Sequence, residues 1–437
     1  MKSVVRWLRE ALGSTPGRYR LWSVGLGLLA AATGVAYLVT ATAVSSSARQ
    51  IGENDGPVLV ASQRLVASLS EADAAATASF LAGGEGDREQ LRIYDEALAR
   101  ASIQLEEIAA LVGDDTDVHE IVQDASIGVT RYAGLMEAAK AHSRAGIPGG
   151  DRYLVDAINL LAGDINAEVV RLTDAVEAQL DAERANLTED VILPVVLAGV
   201  TLVLLVVAQG YVVRRSHRVL SPLLVLATVL VVAATAWLLL AVNAASDNIS
   251  DASTDGYLSI ALTADIQTSA SQSKSAEMVA LITGDPARRT DATAAATELA
   301  ATPITQVNVD GARLGVTGGD AGLLFDAAGQ ADSPRERAAV AESMVWWQRY
   351  VDTVGELRLA ADPATATTIA ISQANPTFNG FNFTVESVLG DNEAQFIAGL
   401  DDATDSLRWL SIGTLGLALA AALLVLLGFQ ARINEYD

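Results

Sequence analysis

Residues 191–242 decide the fold, and they read VILPVVLAGVTLVLLVVAQGYVVRRSHRVLSPLLVLATVLVVAATAWLLLAV. Two apolar runs within this stretch, 191–213 and 220–242, contain no Asp, Glu, Lys or Arg. At about 1.5 Å per residue, each run is long enough to cross a hydrocarbon core of roughly 30 Å. The basic segment 214–219 joins them, so the stretch predicts a hairpin of two transmembrane helices.

Two further uncharged apolar runs lie outward from this hairpin, at residues 21–44 and 410–429. They bring the predicted number of transmembrane helices to four. Long polar segments, 45–190 and 243–409, separate the outer runs from the central hairpin. The chain therefore predicts two membrane hairpins, each carrying one polar domain.

The distribution of charge predicts which segments face the cytoplasm. Residues 1–20 hold five basic side chains and one acidic one, and the short loop 214–219 is basic without any acid. Segment 45–190 has 27 acidic and 11 basic side chains, and segment 243–409 has 23 and 9. The positive-inside rule places the basic segments in the cytoplasm and the acidic domains outside. We expect a multi-pass protein of the bacterial cell membrane with both termini, including the tail 430–437, in the cytoplasm.

Apolar stripes at helical spacing predict four helices in segment 45–190, with glycine-rich turns between them. The first three stripes are Leu65, Leu69, Ala72, Ala76 and Phe80, then Leu91, Tyr94, Leu98, Ala101, Leu105 and Ile108, then Val118, Ile121, Ala125, Val129, Tyr132, Met136 and Ala139. The fourth is Ile158, Leu161, Ile165, Val169, Leu172 and Val176. Four long helices joined by short turns predict an up-down four-helix bundle.

Segment 243–409 repeats this plan more loosely. Phe80–Gly84 in the first segment matches Ala280–Gly284 in the second, which favours an internal duplication. A third-helix stripe contains Val340, Met344, Trp347, Val351 and Val354, whereas residues 302–333 give no clear pattern. The predicted fold class is all-α, with four transmembrane helices and two tandem extracytoplasmic four-helix-bundle domains.

The sequence lacks the motifs of an enzyme. It has no cysteine and three histidines, none with a second ligand-type residue at a zinc-binding spacing. It has no phosphate-binding glycine loop and no nucleophile elbow. The cytoplasmic segments are too short to fold a kinase, cyclase or ATPase domain. We expect no catalytic activity, no metal and no cofactor, and the acidity of the outer domains disfavours nucleic acid as a partner.

The basic cytoplasmic residues are first of all a topology signal and a contact for anionic membrane lipids. They are also well placed to bind a cytoplasmic partner, because the loop is the link between the hairpins and the N-terminal segment can form an amphipathic helix. The candidate contacts are Arg214, Arg215 and Arg218 in the loop, and Arg6, Trp7 and Arg9 near the N-terminus.

The adjacent residues Trp346 and Trp347 point about 100° apart on a helix. Trp347 fits the apolar stripe and is expected in the core. Trp346 is therefore a candidate contact for an outer partner, since aromatic side chains often anchor interfaces. The alternative is that Trp346 packs beneath the irregular segment 302–333.

Two stretches of the chain resemble the actinobacterial GlnX-type membrane proteins. One runs from Glu71–Ala74 to Leu81–Gly84, and the other is Tyr132–Tyr153, which includes the turn Arg144–Gly150. The layout of four spans and two outer helical domains agrees with this resemblance along the whole chain.

The resemblance implies a role between two partners. One is GlnH, an extracytoplasmic lipoprotein that binds aspartate or glutamate, and the other is PknG, a cytoplasmic serine/threonine kinase. The chain would then be a non-enzymatic signalling adaptor, compatible with an oligomer. Two alternatives remain open: a direct small-molecule sensor with chemoreceptor-like bundles, and a structural subunit of an envelope complex.

Overall fold

The computed structural model describes residues 15–82, 88–112, 116–189, 191–216, 221–252, 256–310, 313–317, 321–331 and 333–433. In this part of the chain almost every residue is helical, which confirms the all-α prediction. The chain divides into two compact units. The span unit comprises Met1–Gly52, Leu180–Ser250 and Gly399–Asp437, and the polar unit comprises Glu53–Gln179 and Asp251–Ala398.

The described helices and strands follow one another as listed here in chain order. They are α1 (Thr15–Gln50), α2 (Gly56–Leu81), α3 (Arg88–Leu111), α4 (Thr116–Arg144), α5 (Gly150–Leu160), α6 (Asn166–Glu189), α7 (Ile192–Ser216), α8 (Pro222–Asp251), α9 (Tyr257–Thr283), α10 (Pro286–Leu299), β1 (Gln306–Asp310), β2 (Arg313–Thr317), α11 (Leu323–Gln330), α12 (Pro334–Arg358), α13 (Pro363–Ile369), α14 (Asn375–Ser406) and α15 (Leu410–Ile433). Short π-helical turns, Ile51–Asp55, Leu161–Ile165 and Ala370–Ala374, join α1 to α2, α5 to α6 and α13 to α14.

Four helical stretches in the described residues are long and apolar enough to cross a membrane, judged by length and composition. They are Arg20–Leu81, Ile192–Arg214, Pro222–Asp251 and Pro363–Gln430. Each covers all or nearly all of one of the apolar runs found in the sequence. The first and last of these stretches each include an apolar part and a polar part.

Small residues and hydroxyl groups hold the span unit together. Helix α1 packs along α15. A Cβ atom built on Gly34 would lie 2.7 Å from the Ala418 Cβ. The two helices can therefore approach this closely because position 34 has no side chain. The Thr33 and Thr201 hydroxyls lie 2.9 Å apart. Two polar residues within the apolar runs, one in α1 and one in α7, thus form a contact between helices.

The central helices of the polar unit are α2 and α9, which pack against each other. Almost every residue of α2 is buried, although the sequence predicted a single apolar stripe. Its small alanine, serine and threonine side chains present no polar face to water, so the helix needs neighbours on all sides. Helix α9, from the other polar segment, is buried in the same way.

The prediction of two tandem bundles, residues 45–190 and 243–409, is not confirmed. The described helices of both segments belong to one compact unit in which α2 and α9 are direct neighbours. A shared apolar cluster contains Ala78 from the first segment and Met278 and Leu357 from the second. Because neither buried helix is covered by its own segment alone, the two segments complete each other.

The predicted stripe of α12 is confirmed, since Val340, Met344, Trp347 and Val354 are buried. Trp347 contacts aromatic rings of α12 and α14 in a core formed by Trp347, Tyr350, Phe378 and Phe381. Aromatic side chains bury large areas in such a cluster. This core lies in the second polar segment.

The irregular segment 302–333 contains a short antiparallel hairpin that the sequence did not predict. Strand β1 pairs with β2 in a register that runs from Gln306 opposite Thr317 to Asp310 opposite Arg313. The backbone N–H of Ile304 donates to Gln348 Oε1 at 2.7 Å and fixes the start of the hairpin on α12.

We expect Gly34→Ala to destabilise the span unit, because the new methyl group would overlap the Ala418 methyl. The expected loss is about 1–3 kcal/mol in the free energy of unfolding, as for overpacked cores. Gly25→Ala is the matched control, since a Cβ atom there meets nothing within 4 Å. The measurement is thermal unfolding of the purified chain in detergent. An equal unfolding temperature for both variants would contradict the close approach of α1 and α15.

Candidate functional site

The candidate site lies in the polar unit and begins with two acids on α2, in the sequence EADAAATAS at residues 71–79. Glu71 and Asp73 are both buried. Two residues correspond to about 200° of helical rotation, so their side chains point to different neighbours. Glu71 faces α3 and α14, whereas Asp73 faces α4 and α9, as their hydrogen-bond partners show.

Asp73 binds two hydroxyl groups. The Tyr132 hydroxyl on α4 donates to Asp73 Oδ1 at 3.2 Å, and the Ser275 hydroxyl on α9 donates to Oδ2 at 2.6 Å. Complete burial raises the pKa of Asp73 to about 6, while these two hydrogen bonds and the charge of Arg288 act in the opposite direction. Burial disfavours the carboxylate, because neutral hydroxyl groups compensate its charge only in part.

A cavity of about 260 Å³ lies beside Asp73. Its walls come from α2, α5, α6, α9 and α10 and from the π-helical turn Leu161–Ile165. The larger apolar side chains are Val66, Leu69, Ile158, Leu161, Ile165, Val169 and Val279, and the polar ones are Ser70, Asp73, Asn166, Thr268, Gln272, Ser275, Arg288 and Asp291. Both polar segments of the chain therefore build this cavity, and π-helical turns are frequent at functional sites.

The polar side chains of the cavity include one arginine and a second acid. Arg288 and Asp291, one turn apart on α10, are 3.9 Å apart between Nη1 and Oδ2, and the side chain of Asp291 is mostly exposed. Helix α10 begins at Pro286, where the Asp285 carboxylate accepts from the Ala287 N–H and caps the helix. Among the described residues, the buried Thr268 Oγ1 has no hydrogen-bond partner. The cavity can therefore supply ionic and hydrogen-bonding contacts to a small molecule with an apolar body.

A second buried polar group surrounds Glu71. Arg100 on α3 and Asn382 on α14 both bind its carboxylate, the latter from Nδ2 to Oε1 at 2.6 Å. Burial raises the pKa of Glu71, the charge of Arg100 lowers it, and the nearby Glu386 raises it further. Glu71 thus ties one segment to the other, and its arginine partner distinguishes it from Asp73.

The buried charges of α9 are also compensated. Lys274 donates from Nζ to Gln90 Oε1 at 2.9 Å and lies 4.5 Å from the centre of the Phe378 ring. Glu277 accepts from Arg358, with Nη2 to Oε2 at 2.5 Å and Nε to Oε2 at 3.1 Å. Such paired charges tolerate burial.

The structure places few of the contact residues predicted from the sequence. Arg214 is exposed near the end of α7, and Arg215 follows it in the same helix. Arg6, Trp7, Arg9 and Arg218 lie outside the described residues. Their role in binding a partner stays a prediction.

Trp346 is only partly buried. Its ring packs against Gly380 of α14, because a Cβ atom built there would lie 2.8 Å from the Trp346 ring. Its Nε1–H points to Glu342 Oε1 at 3.4 Å, and the Arg349 guanidinium lies 4.9 Å from its ring centre. Trp346 therefore joins α12 to α14, and its contact with an outer partner stays a prediction.

The sequence did not single out the polar residues of the cavity, although the predicted apolar stripes contain several of its apolar ones. Asp73 and Ser275 lie in runs of small residues, and Arg288 lies in the first turn of α10. The feature of the sequence that could have indicated the site is an acidic residue within a helix that is too rich in alanine and serine to have a polar face. Among the described residues there is also no group of three or more His, Asp or Glu side chains that could hold a metal ion.

In a comparison with known families, residues 47–185 match the family model described as an actinobacterial sensor domain. No curated protein and no solved structure matches the chain. The match supports an actinobacterial sensor protein with a sensing or signalling role. The matched residues include the cavity walls from α2, α5 and α6, and residues beyond the match supply the walls from α9 and α10.

We expect the ionisation of Asp73 to lower the stability of the polar unit as the pH rises. The pKa is raised from 3.8 to about 6 on folding, so the stabilisation by the bound proton is complete below about pH 3.8 and is lost as the pH rises through about 6. The shift corresponds to about 3 kcal/mol. In Asp73→Asn this contribution is absent.

The measurement compares unfolding temperatures of the wild-type chain and Asp73→Asn between pH 4 and pH 7.5. The variant should gain stability relative to the wild type as the pH rises, and the other acids cancel in the difference. Asp124→Asn, at an exposed position of α4, is the matched control for the loss of a carboxylate elsewhere in the polar unit. A difference between the wild type and Asp73→Asn that stays constant with pH would contradict the raised pKa of Asp73.

Proposed function

We propose that the chain is a non-enzymatic transmembrane signalling adaptor. In this proposal the polar unit is extracytoplasmic and detects a signal, both chain termini are cytoplasmic, and the spans transmit the change to a cytoplasmic partner. The observation that carries the proposal is the sensor-domain match at residues 47–185, which begins within the helical stretch Arg20–Leu81. One helical stretch thus contains a candidate membrane span and the buried helix α2.

The proposed outer partner is a GlnH-like lipoprotein that binds aspartate or glutamate, and the proposed inner partner is a PknG-like serine/threonine kinase. These partners rest on the resemblance to GlnX-type proteins. The charge of the cavity supports recognition of the acidic amino acid by a partner rather than by the polar unit itself. A second carboxylate on the ligand would lie close to the buried acid Asp73, and like charges at short distance repel.

A direct small-molecule sensor is the second candidate function. The observation that favours it is the cavity of about 260 Å³ between helices of the polar unit. Ligand pockets in helical proteins commonly lie between helices and combine apolar walls with a few polar groups. Both candidate functions require transmission through the spans. The polar unit recognises a partner protein in the first and a small molecule in the second.

Transmission through the span unit is open to a disulfide test, because the chain has no cysteine. A Cβ atom at Gly52 would lie 3.5 Å from Thr404 Oγ1 and 3.8 Å from the Leu400 Cβ, so cysteines at 52 and 404 are close enough to approach disulfide geometry. A helix shift of about 1–2 Å, typical of signalling transitions, would alter this distance. We expect the yield of the disulfide in Gly52→Cys/Thr404→Cys to change at least twofold when aspartate or glutamate is added to whole cells.

Each single-cysteine variant serves as a control for disulfides between copies of the chain. Alanine, which has no side-chain carboxylate, is the matched control for the stimulus. A yield that is the same with aspartate, glutamate and alanine would contradict the relay.

Binding of the inner partner is tested at the exposed end of α7. We expect Arg214→Gln/Arg215→Gln to reduce the amount of serine/threonine kinase that co-purifies with the full-length chain by at least fivefold. The reason is that an arginine guanidinium forms bidentate hydrogen bonds with a carboxylate, which glutamine cannot replace. Arg214→Lys/Arg215→Lys retains the positive charge that sets the topology. Equal co-purification with the wild type, the Gln pair and the Lys pair would contradict this contact, and the absence of any kinase from the wild-type sample would contradict the adaptor.

A further inference from the structure

The buried charges of α2 and α9 differ in their partners. Glu71 and Glu277 each bind an arginine, and Lys274 binds an amide oxygen and an aromatic face. Within the described part of the chain, Asp73 accepts hydrogen bonds only from the hydroxyls of Tyr132 and Ser275. Among the described buried acids of α2 and α9, the one that lines the cavity is therefore compensated by neutral donors.

The carboxylate of Asp73 has unused acceptor capacity. An ionised carboxylate offers about four lone-pair positions, and the structure occupies one on each oxygen. A buried carboxylate without a cationic hydrogen-bond partner costs free energy, and a cation in contact with it removes part of that cost. A positively charged ligand group would thus meet both an attractive charge and open hydrogen-bonding positions.

Arg288 does not cancel this preference. Its guanidinium also lies near Asp291, so the charged side chains lining the cavity are two acids and one base. With all three ionised, the formal charge of the lining is negative. The cavity therefore favours a cationic ligand over a neutral or anionic one of the same shape.

The remaining walls specify the body of the ligand. Val66, Leu69, Ile165, Val169 and Val279 provide branched aliphatic surface in the walls of the cavity. The volume of about 260 Å³ lies just below the range of about 300–1,000 Å³ that is typical of drug-sized ligand pockets. A small branched or cyclic hydrocarbon body fits this space and is stabilised by burial at about 25 cal/mol per Å².

We propose that the Asp73 cavity is a binding site for a small organic monoammonium ion, whose nitrogen contacts the Asp73 carboxylate and whose hydrocarbon body fills the aliphatic part of the cavity. This inference rests on the proposed function only in treating the polar unit as the part of the chain that senses. It adds a ligand class that the adaptor role does not require. Thr268 Oγ1, which has no hydrogen-bond partner among the described residues, lines the same cavity.

The test uses four probes with the same branched hydrocarbon body and different head groups. They are 3-methylbutylammonium (a cation), 3-methylbutanol (neutral), 4-methylpentanoate (an anion) and leucine (a zwitterion). Binding to the purified full-length chain in detergent is measured by calorimetry at pH 7.5. We expect the ammonium probe to bind at least tenfold more tightly than each of the other three.

Three variants test separately the charge of Asp73, the free volume of the cavity and the effect of a substitution outside the cavity. Asp73→Asn should weaken the ammonium probe at least tenfold and bring it level with the alcohol. Ala276→Leu fills the cavity from α9 without changing any charge and should weaken both probes alike. Asp124→Asn, exposed on α4, should bind as the wild type does. If Asp73→Asn does not fold, Ala276→Leu still tests the site.

Several outcomes would overturn the proposal. They are no binding of the ammonium probe to the wild-type chain, equal binding of all four probes, tighter binding of leucine than of the ammonium ion, and unchanged binding in Ala276→Leu. Because the titration contains neither lipoprotein nor kinase, its failure leaves the disulfide and co-purification tests of the adaptor intact. Failure of those tests, in turn, leaves the binding result intact.

Discussion

The polar unit depends on the packing of α2 against α9, two helices with small side chains that are buried on nearly all faces. Alanine and serine contribute little hydrophobic area each, but they let neighbouring backbones approach closely. The close approach places four ionisable side chains, Glu71, Asp73, Lys274 and Glu277, in the interior. Each must find partners across the packed surface, because removal of one member of a buried pair costs about 3–5 kcal/mol. The polar contacts thus fix how the helices of the two segments are paired.

The need to compensate buried charges also distinguishes the Asp73 cavity from the other buried polar groups of α2 and α9. Most of the buried charge in α2 and α9 is paired, so a ligand could change little there. At Asp73 the protein compensates the charge of the carboxylate only in part, and the adjacent cavity is large enough for a small molecule. A ligand changes a conformational equilibrium only to the extent that it binds one state better than the other. A ligand that compensates the Asp73 charge in one state better than in the other would shift such an equilibrium.

Hydropathy and helical spacing were sufficient for part of the fold. The four apolar stretches were predicted correctly because they are long and contain an uncharged run, and the stripes of α4 and α12 because apolar residues recur there at helical spacing among charged ones. In α2 and α9 the contrast is missing, since alanine and serine occupy buried and exposed positions equally well. Spacing along one helix also carries no information on which distant helix covers it, so the single polar unit was not predicted. The hairpin at residues 306–317 was missed because glycine, threonine and aspartate there indicate only a turn-rich segment.

The candidate site was beyond sequence reasoning for a related reason. An acid such as Asp73 in an alanine-rich helix is usually solvated, and only the tertiary packing reveals that it is buried. Arg288 and Ser275 lie about 200 residues further along the chain, and no local pattern connects them to Asp73. The sensor-domain match identifies one half of the surroundings and does not extend to the other half.

The division of the polar unit between residues 53–179 and 251–398 has a consequence for biosynthesis. When the ribosome has released the first part, α2 has no α9 to cover it, and the chain must still produce the whole central apolar hairpin before α9 is made. During this interval the exposed surface of α2 is open to aggregation and proteolysis, as for other folding intermediates. The nascent first half therefore requires protection by a chaperone, by the membrane surface or by rapid elongation. Translational pausing between codons 180 and 250 would reduce the yield of the mature protein more than pausing after codon 283.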